Sequence, residues 1–382
     1  MDFELSPEEL ETRNWAKAFA ERVIAPHAEA HTKQKLNPAL LKEISAEGFM
    51  TLLVPESLGG LGLTPVSFAL VMQELARVCG SVAVSVAVTN MIADVLVREG
   101  TPEQQKKYLS LLTSQKSLTA SFCLTENQAG SDASALRTTA TKKGNEYEIS
   151  GEKIYVTNGA WSEFFLVMAR TSDAPGSKGV SAFLVDRNAK GLMIGGEEEK
   201  MGLEGSSTIR IALDHVKVPE SARVQTEGEG FKIAMRALDG GRISVASQAL
   251  GIARASLAAG VRYAKEREAF GKPIAEFQAI QWKIADGATA LAAAEALILR
   301  AAYLKGQKKE FTREASMAKV FATESAMKVC DDMIQIHGGY GYIKEYPVER
   351  YFRDVRVTTL YEGTSEIQRM VIARDILKTG VR

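Results

Sequence analysis

The feature that most constrains the fold is a double change of texture along the chain. Residues 1–115 carry helix punctuation, residues 116–225 lose it, and residues 226–382 regain it. In the first stretch Ser6-Pro7-Glu8-Glu9 reads as a capping box with proline at the first helical position. Leu10, Trp15, Phe19 and Ile24 would then supply an apolar stripe. Asn37-Pro38 opens a second helix, which Gly48 should stop. Gly59-Gly60-Leu61-Gly62 reads as a loop, and Thr64-Pro65 and Thr101-Pro102-Glu103-Gln104 as two further helix starts. Ser81 to Val97 is small and apolar all round, which predicts a helix buried between others.

The middle stretch is richer in threonine, glycine and β-branched residues. Glu146-Tyr147-Glu148-Ile149, Lys153-Ile154-Tyr155-Val156, Phe164 to Met168, Val180 to Val185 and Thr208 to Ile211 read as strands. Turn residues such as Lys143-Gly144-Asn145 and Thr157-Asn158-Gly159 separate them. Short strands at this spacing predict an antiparallel sandwich or barrel. The last stretch then predicts long helices over Ala285 to Lys305 and Phe311 to Ile336, the second stopped at Gly338-Gly339. The fold class is therefore mainly α with an inserted β domain.

Composition excludes several functions. Forty-seven Lys plus Arg balance 47 Asp plus Glu, so the net-basic footprint of a nucleic-acid binder is missing. No apolar run approaches the roughly 20 residues that span a bilayer. Met1-Asp2-Phe3-Glu4 has neither the charged start and apolar stretch of a signal peptide nor the character of a transit peptide. Cys79, Cys123 and Cys330 are scattered, which points to a reduced, intracellular setting. The expected location is the cytoplasm of a prokaryote, or the matrix of an organelle for a mature chain. His27 and His31 are four apart, but no Glu follows His27 as a zinc-helix motif requires, so no metal site is predicted.

Common catalytic motifs are missing too. No G-x-G-x-x-G follows a strand, and neither a Walker A sequence nor a G-x-S-x-G elbow occurs. Ser316-x-x-Lys319 and Ser325-x-x-Lys328, with Lys378-Thr379-Gly380, match fragments of the penicillin-binding signature. Without an S-D-N element these are chance matches.

Three segments stand out together. They are Cys123 to Asp132 (CLTENQAGSD), Gln335 to Tyr342 (QIHGGYGY) running on through Arg350, Arg353-Asp354 and Arg356, and Tyr361 to Gln368 (YEGTSEIQ). Gly151-Glu152-Lys153, Gly230-Phe231-Lys232, Asp239-Gly240-Gly241-Arg242 and Arg267 with Phe270-Gly271 fall in register with them. In this order the chain resembles the flavin-dependent acyl-CoA dehydrogenases, most closely the short-chain, butyryl-CoA type. The resemblance covers nearly the whole chain. It implies a helical domain at 1–115, a central β domain at 116–225 and a C-terminal four-helix bundle at 226–382.

The chemistry implied is removal of two hydrogens from the α and β carbons of an acyl thioester. No side chain accepts hydride, so a cofactor must; the resemblance implies FAD. The α proton needs a base, and burial can raise a carboxylate toward working pH. On the residues alone Glu362 reads as a surface carboxylate or a first-turn charge. The resemblance makes it the base. Relatives of the isovaleryl and long-chain type carry their base on an earlier helix, where this chain has Asp239-Gly240-Gly241-Arg242.

By the same resemblance Phe122, Leu124, Thr125, Gly130 and Ser131 border the flavin, with Tyr155, Val156 and Thr157 on its ring. Tyr155 stands where short-chain members usually have Trp, and Asn127-Gln128 where the family usually has Pro-Gly. Thr364 and Glu366 contact FAD in the same subunit, the acidic side chain pointing away from phosphate. Arg267, Phe270, Gln278, Gln335, Gly338 and Gly339 reach the FAD of a neighbouring subunit, Arg267 suiting pyrophosphate. Ser131, Asp239, Arg242 and Gly363 line the acyl-CoA path, although Arg242 reads equally as an ion-pair partner of Asp239. The implied partners are an acyl-CoA, an electron-transfer flavoprotein and further copies of the chain in a homotetramer, a dimer of dimers. A glutaryl-CoA-type site would need arginine between Ser81 and Val97, and a nitroalkane-oxidase-type site Asp for Glu362; neither is present. A branched-chain acyl-CoA dehydrogenase and a non-catalytic helical binding protein stand as alternatives.

Overall fold

The computed structural model describes residues 4–28 and 34–380. The expectations on Met1 to Phe3 and on His31 lie outside these residues. Helix α1 (Pro7–Phe19) begins with the predicted capping box, in which Ser6 Oγ accepts from Glu9 N–H and Glu9 Oε2 accepts from Ser6 N–H. It runs through a π-turn into α2 (Ala25–Ala28). Phe19 and Ile24 are buried and Trp15 stacks on Phe49 at 4.3 Å. Leu10 is exposed instead. Nine residues at about 100° each put it on the face opposite Phe19, so the predicted stripe is one residue too long.

Asn37 caps α3 (Pro38–Ala46), and Gly48 follows with φ 90°. Thr64 caps α4 (Pro65–Val78). Every residue of α5 (Gly80–Glu99) from Gly80 to Ala93 is buried. Its polar side chains are satisfied internally: Ser85 and Thr89 donate to carbonyls four residues back. Short helices α6 (Pro102–Gln104) and α7 (Ser110–Thr113) lead into the sheet.

The sheet has eight strands: β1 (Thr119–Cys123), β2 (Thr139–Lys143), β3 (Glu146–Thr157), β4 (Ser162–Arg170), β5 (Val180–Asp186), β6 (Leu192–Glu197), β7 (Thr208–Pro219) and β8 (Arg223–Val224). Their order is β6-β7-β3-β2-β4-β5-β8, with β1 also on β4. Strand β4 is buried on both faces. Phe164, Leu166 and Met168 pack with α5, while Phe165, Val167 and Ala169 pack with β3 and β7. A strand sandwiched this way reads as one apolar run.

The sheet corrects the antiparallel prediction. β1 pairs parallel with β4, and β2 meets β4 parallel at Thr139↔Arg170. The two share one edge of β4 in succession, so the chain must leave that edge between them. Residues 124–138 make this excursion.

Beyond the sheet, α8 (Gly230–Glu266) runs for 37 residues. A ribbon of β9 (Glu268–Ala269) and β10 (Lys272–Pro273) turns the chain into α9 (Gln278–Gly306). Then follow α10 (Thr312–His337), α11 (Val348–Arg356) and α12 (Ser365–Thr379). Residues of α4, α8, α9 and α10 share one core. Helix α11 is latched to the β6–β7 connection: Leu203 N–H donates to Asp354 (2.6 Å) and Arg353 to Met201 O (2.9 Å). The latch fixes the start of the segment that carries Glu362.

Helices α5 and α9 are long and apolar enough, by length and overall composition alone, to cross a membrane, although neither holds an uninterrupted apolar run of that length. Single hydrophilic residues within them broke the runs at the level of sequence. Helix α5 is enclosed by the rest of the protein.

Candidate active site

The site is built where α8, α10 and the turn before α12 meet. Glu362 adopts φ 52° and Gly363 φ 91°, two consecutive left-handed residues. This conformation is unfavourable for a non-glycine residue and persists only where surroundings enforce it. Two side chains do so. Lys319 Nζ from α10 donates to Gly363 O at 2.8 Å. Gln368 Nε2 from α12 donates to the same oxygen at 2.8 Å and to Glu362 O at 3.2 Å. Both are fully buried.

The turn aims the Glu362 carboxylate at α8. Gly241 leaves room for it: a Cβ there would lie 1.8 Å from Glu362 Oε2. That oxygen is buried and has no hydrogen-bond partner among the described residues. Burial drives the Glu362 pKa up to about 7, against the pull of Lys319 and Arg242. Burial likewise brings Lys319 down to about 8, with Glu362 opposing it. An unpaired buried carboxylate that gains and loses a proton near neutrality is equipped to move one.

Arg242 and Asp239 form the ion pair that their spacing allows, and both are largely buried. Thr312 Oγ1 donates to Asp239 at 2.7 Å, and Arg242 Nη1 to Ser316 Oγ at 3.3 Å. Arg242 Nε is left buried without a partner. Apolar Val84, Val88 and Met91 of α5 belong to the same cluster as Leu238 and Tyr361. The segment carrying Glu362 thus meets an apolar cluster on one side and a polar network on the other, with Glu362 Oε2 and Arg242 Nε unmet, the composition of a small-molecule site.

A second constellation lies in the sheet. The 124–138 excursion is held by a buried ion pair, Lys153 Nζ to Glu126 Oε1 at 2.7 Å. Lys153 also donates to Leu124 O, and Glu126 accepts from Arg137 and Thr138 N–H. Burial raises the Glu126 pKa, but Lys153 and the two amides outweigh it and hold the carboxyl at about 2. On this clamped loop Thr125 is half-buried and Gly130 and Ser131 are exposed. Phe122 is half-buried and Leu124 buried, both in the cluster on the α5 side.

Tyr155 lies where β3 and β7 slip register, with φ 55° and its side chain 62% exposed. Val156 turns its side chain into the sheet interior, so only its main chain can meet a ligand. Thr157 is half-buried beside them.

The third group is at one end of the bundle. Arg267, Phe270, Gln278, Gln335, Gly338 and Gly339 are all exposed. Arg267 lies 5.7 Å over the Tyr340 ring and makes no ion pair among the described residues. Phe270, with φ 54°, is 96% exposed and meets Phe277 edge-on. Gly338, at φ 58° and ψ −134°, needs glycine, and nothing lies within 4 Å of where a Cβ would be. Thr364 Oγ1 caps α12 by accepting from Ile367 N–H, and Glu366 is exposed in its first turn. Thr364 holds the Glu366 carboxyl below its ordinary pKa.

FAD fits these residues. An isoalloxazine needs a flat apolar face and hydrogen-bonding groups, and Tyr155, Thr125 and Thr157 offer them with side chains that take no hydrogen-bond partner among the described residues. A pyrophosphate needs cations and small residues, which the unpaired Arg267, the exposed Ser131 and the open Gly338-Gly339 turn supply.

Sequence reasoning missed Lys319, Gln368 and the fit of Gly241 to Glu362. Only Lys319 left a signal, the S-x-x-K match set aside as chance.

Comparisons with known proteins agree with this architecture. Models of the acyl-CoA dehydrogenase N-terminal, middle and C-terminal domains match residues 6–116, 121–216 and 228–377. The chain is 44% identical over 375 residues to an acyl-CoA dehydrogenase of Bacillus subtilis, covering 98% of this chain and 99% of that one. It is 44% identical over 370 residues to a subunit of the caffeyl-CoA reductase-Etf complex of Acetobacterium woodii, covering 96% and 97%. The structure of butyryl-CoA dehydrogenase from Megasphaera elsdenii superposes with TM-score 0.96 at 39% identity, covering 99% of this chain and 100% of that one. This chain belongs to the acyl-CoA dehydrogenase family and is an FAD-dependent oxidoreductase acting on acyl-CoA.

Proposed function

We propose that the protein oxidises a short-chain acyl-CoA to the trans-2-enoyl-CoA, with Glu362 removing the α proton. The observation that carries this reading is the Glu362 carboxylate: buried, unpaired at Oε2, near neutral pKa and aimed across Gly241. The likeness to butyryl-CoA dehydrogenase supports the short acyl length.

Bound FAD supplies the acceptor for the β hydrogen. The chain's own residues do the rest. Thr125, Ser131, Tyr155 and Thr157, with Thr364 and the main chain of Val156, hold the cofactor within one subunit. Arg267, Phe270, Gln278 and the Gln335–Gly339 turn of a neighbouring copy complete its site, so the working form is an oligomer, and the family resemblance implies a homotetramer. Val84, Val88 and Met91 exclude water around the acyl chain, so the carboxylate meets the α carbon in a medium where proton transfer is not competed away. Once protonated, Glu362 no longer carries a buried charge, and Lys319 and Arg242 limit the cost of restoring it.

Electrons leave to an electron-transfer flavoprotein, in line with the Etf complex to which one relative belongs. That relative's reductase name favours a second reading, in which Glu362 returns the proton and an enoyl-CoA is reduced. The test is an anaerobic titration of the purified holoprotein with butyryl-CoA, following the visible flavin band. Bleaching is the expected result. A yellow protein that bleaches with no saturated thioester, yet is reoxidised by an enoyl-CoA after chemical reduction, would favour the reductase.

A further inference from the structure

Lys319 is a buried cation that the reading above treats only as a nearby charge. Its ammonium is fully buried, and among the described residues it forms no salt bridge. Buried lysines are rare without an anionic partner, because desolvation of the ammonium must be offset. Here the side chain makes one hydrogen bond, to the carbonyl of Gly363.

That acceptor is a telling one. A carbonyl oxygen has two lone pairs. Those of Gly363 are taken by two donors, Lys319 on α10 and Gln368 on α12, both at 2.8 Å. The residue before it is Glu362, held left-handed with a carboxylate oxygen that lacks any partner. A main-chain atom adjacent to the base is therefore pinned by a full positive charge in a place closed to water. Such a charge acts on the base in two ways: it fixes the turn, and it lowers the cost of the carboxylate.

We propose that Lys319 is a positioning residue for Glu362, its ammonium locking the left-handed turn and giving the carboxylate a fixed positive neighbour. The inference rests on the reading of Glu362 as the base. Other groups face Glu362 as well: Arg242 with its partner Asp239 from α8, and Tyr361 from its own segment. Glu366 of α12 and Glu324 of α10 act on Lys319. Arg242 is engaged by Asp239, so Lys319 is the cation whose hydrogen bonding serves only the turn.

The test is Lys319→Met, which keeps an unbranched chain and removes donor and charge. The Glu362 carboxyl is titrated by infrared difference spectroscopy of the holoprotein, its band assigned by its loss in Glu362→Gln. In Lys319→Met the titration moves up by about one unit. At neutral pH kcat falls about tenfold or more, with KM for butyryl-CoA changed less than about threefold. Gln368→Met is the control. It frees the same carbonyl but leaves the charge, so it lowers kcat without moving the titration.

An unmoved titration in Lys319→Met, or an equal shift in Gln368→Met, overturns the proposal. If bound flavin and melting show that Lys319→Met does not fold, Lys319→Gln carries the same expectations. A shifted titration in a protein that turns over no acyl-CoA would uphold the influence of Lys319 on Glu362 while overturning the catalytic reading.

Discussion

Two glutamates define two kinds of buried charge in this molecule. Glu126 is met by Lys153, by the amides of Arg137 and Thr138 and by Gln128, and its carboxyl is held at about 2. Glu362 has one oxygen with no partner, its nearest cations are occupied elsewhere, and its carboxyl rises to about 7. Burial pushes both upward; satisfaction decides the outcome. The satisfied carboxylate is a fastening. The unsatisfied one is left with a proton to exchange.

The comparison can be broken in graded ways. Glu362→Gln removes the exchangeable proton and leaves the shape. It should keep FAD bound and lose about 10²–10⁴-fold in turnover with acyl-CoA; a near-normal rate would remove Glu362 from the role of base. Lys153→Met strands the other glutamate. Breaking a buried pair costs about 3–5 kcal/mol, so melting should drop and flavin should leak from the loosened 124–138 loop. Unchanged melting would mean that the clamp is no fastening.

Gly241→Ala tests geometry alone. A Cβ at 1.8 Å from Oε2 must displace the carboxylate, with about a 100-fold loss in kcat and normal FAD content. Full activity would show that the base works from another position. Arg267→Ala lies outside both clusters and should weaken FAD retention about tenfold, read by ultrafiltration of flavin; equal retention would free Arg267 from the cofactor.

The smallest effect is a difference of sign with pH. The Glu126 carboxyl sits below its ordinary 4.5, so its contribution to stability is present above pH 4.5 and is lost as pH falls toward about 2. The Glu362 carboxyl sits above 4.5, so its contribution is present below pH 4.5 and is lost as pH rises through about 7. Melting of the unaltered chain against Glu362→Gln should therefore diverge between about pH 4.5 and 7, and Glu362→Gln should lose less. Parallel curves would mean that Glu362 is not buried as a charge.

Much of the fold was legible because caps and periodicity act locally. Ser6 with Glu9, Asn37-Pro38, Thr64-Pro65 and Thr101 with Gln104 all begin helices where the residues said they would. The strands were less so. β6 is almost wholly exposed, and β2 exposes its Thr and Lys residues, so neither shows apolar alternation. The parallel pairing of β1 depends on contacts more than 30 residues away along the chain. At the site Glu362 was legible only through its resemblance. Tyr155, Phe270 and Glu362 are left-handed without being glycine, and nothing local marks that. Lys319 was visible yet assigned to chance, because its partner is a main-chain carbonyl that no motif spells out.

The fit of Gly241 to Glu362 also orders the mutational history open to this protein. The resemblance to this family implies, for relatives of the isovaleryl type, a base near this point of the long helix. To reach that arrangement, the chain cannot first gain a side chain at 241, since that volume is already filled by the carboxylate. It must first shorten residue 362, and in doing so pass through a form with no base at all. With Glu362 as the proposed base, the two arrangements are separated by an inactive intermediate, and a lineage that has taken one has little opportunity to drift into the other.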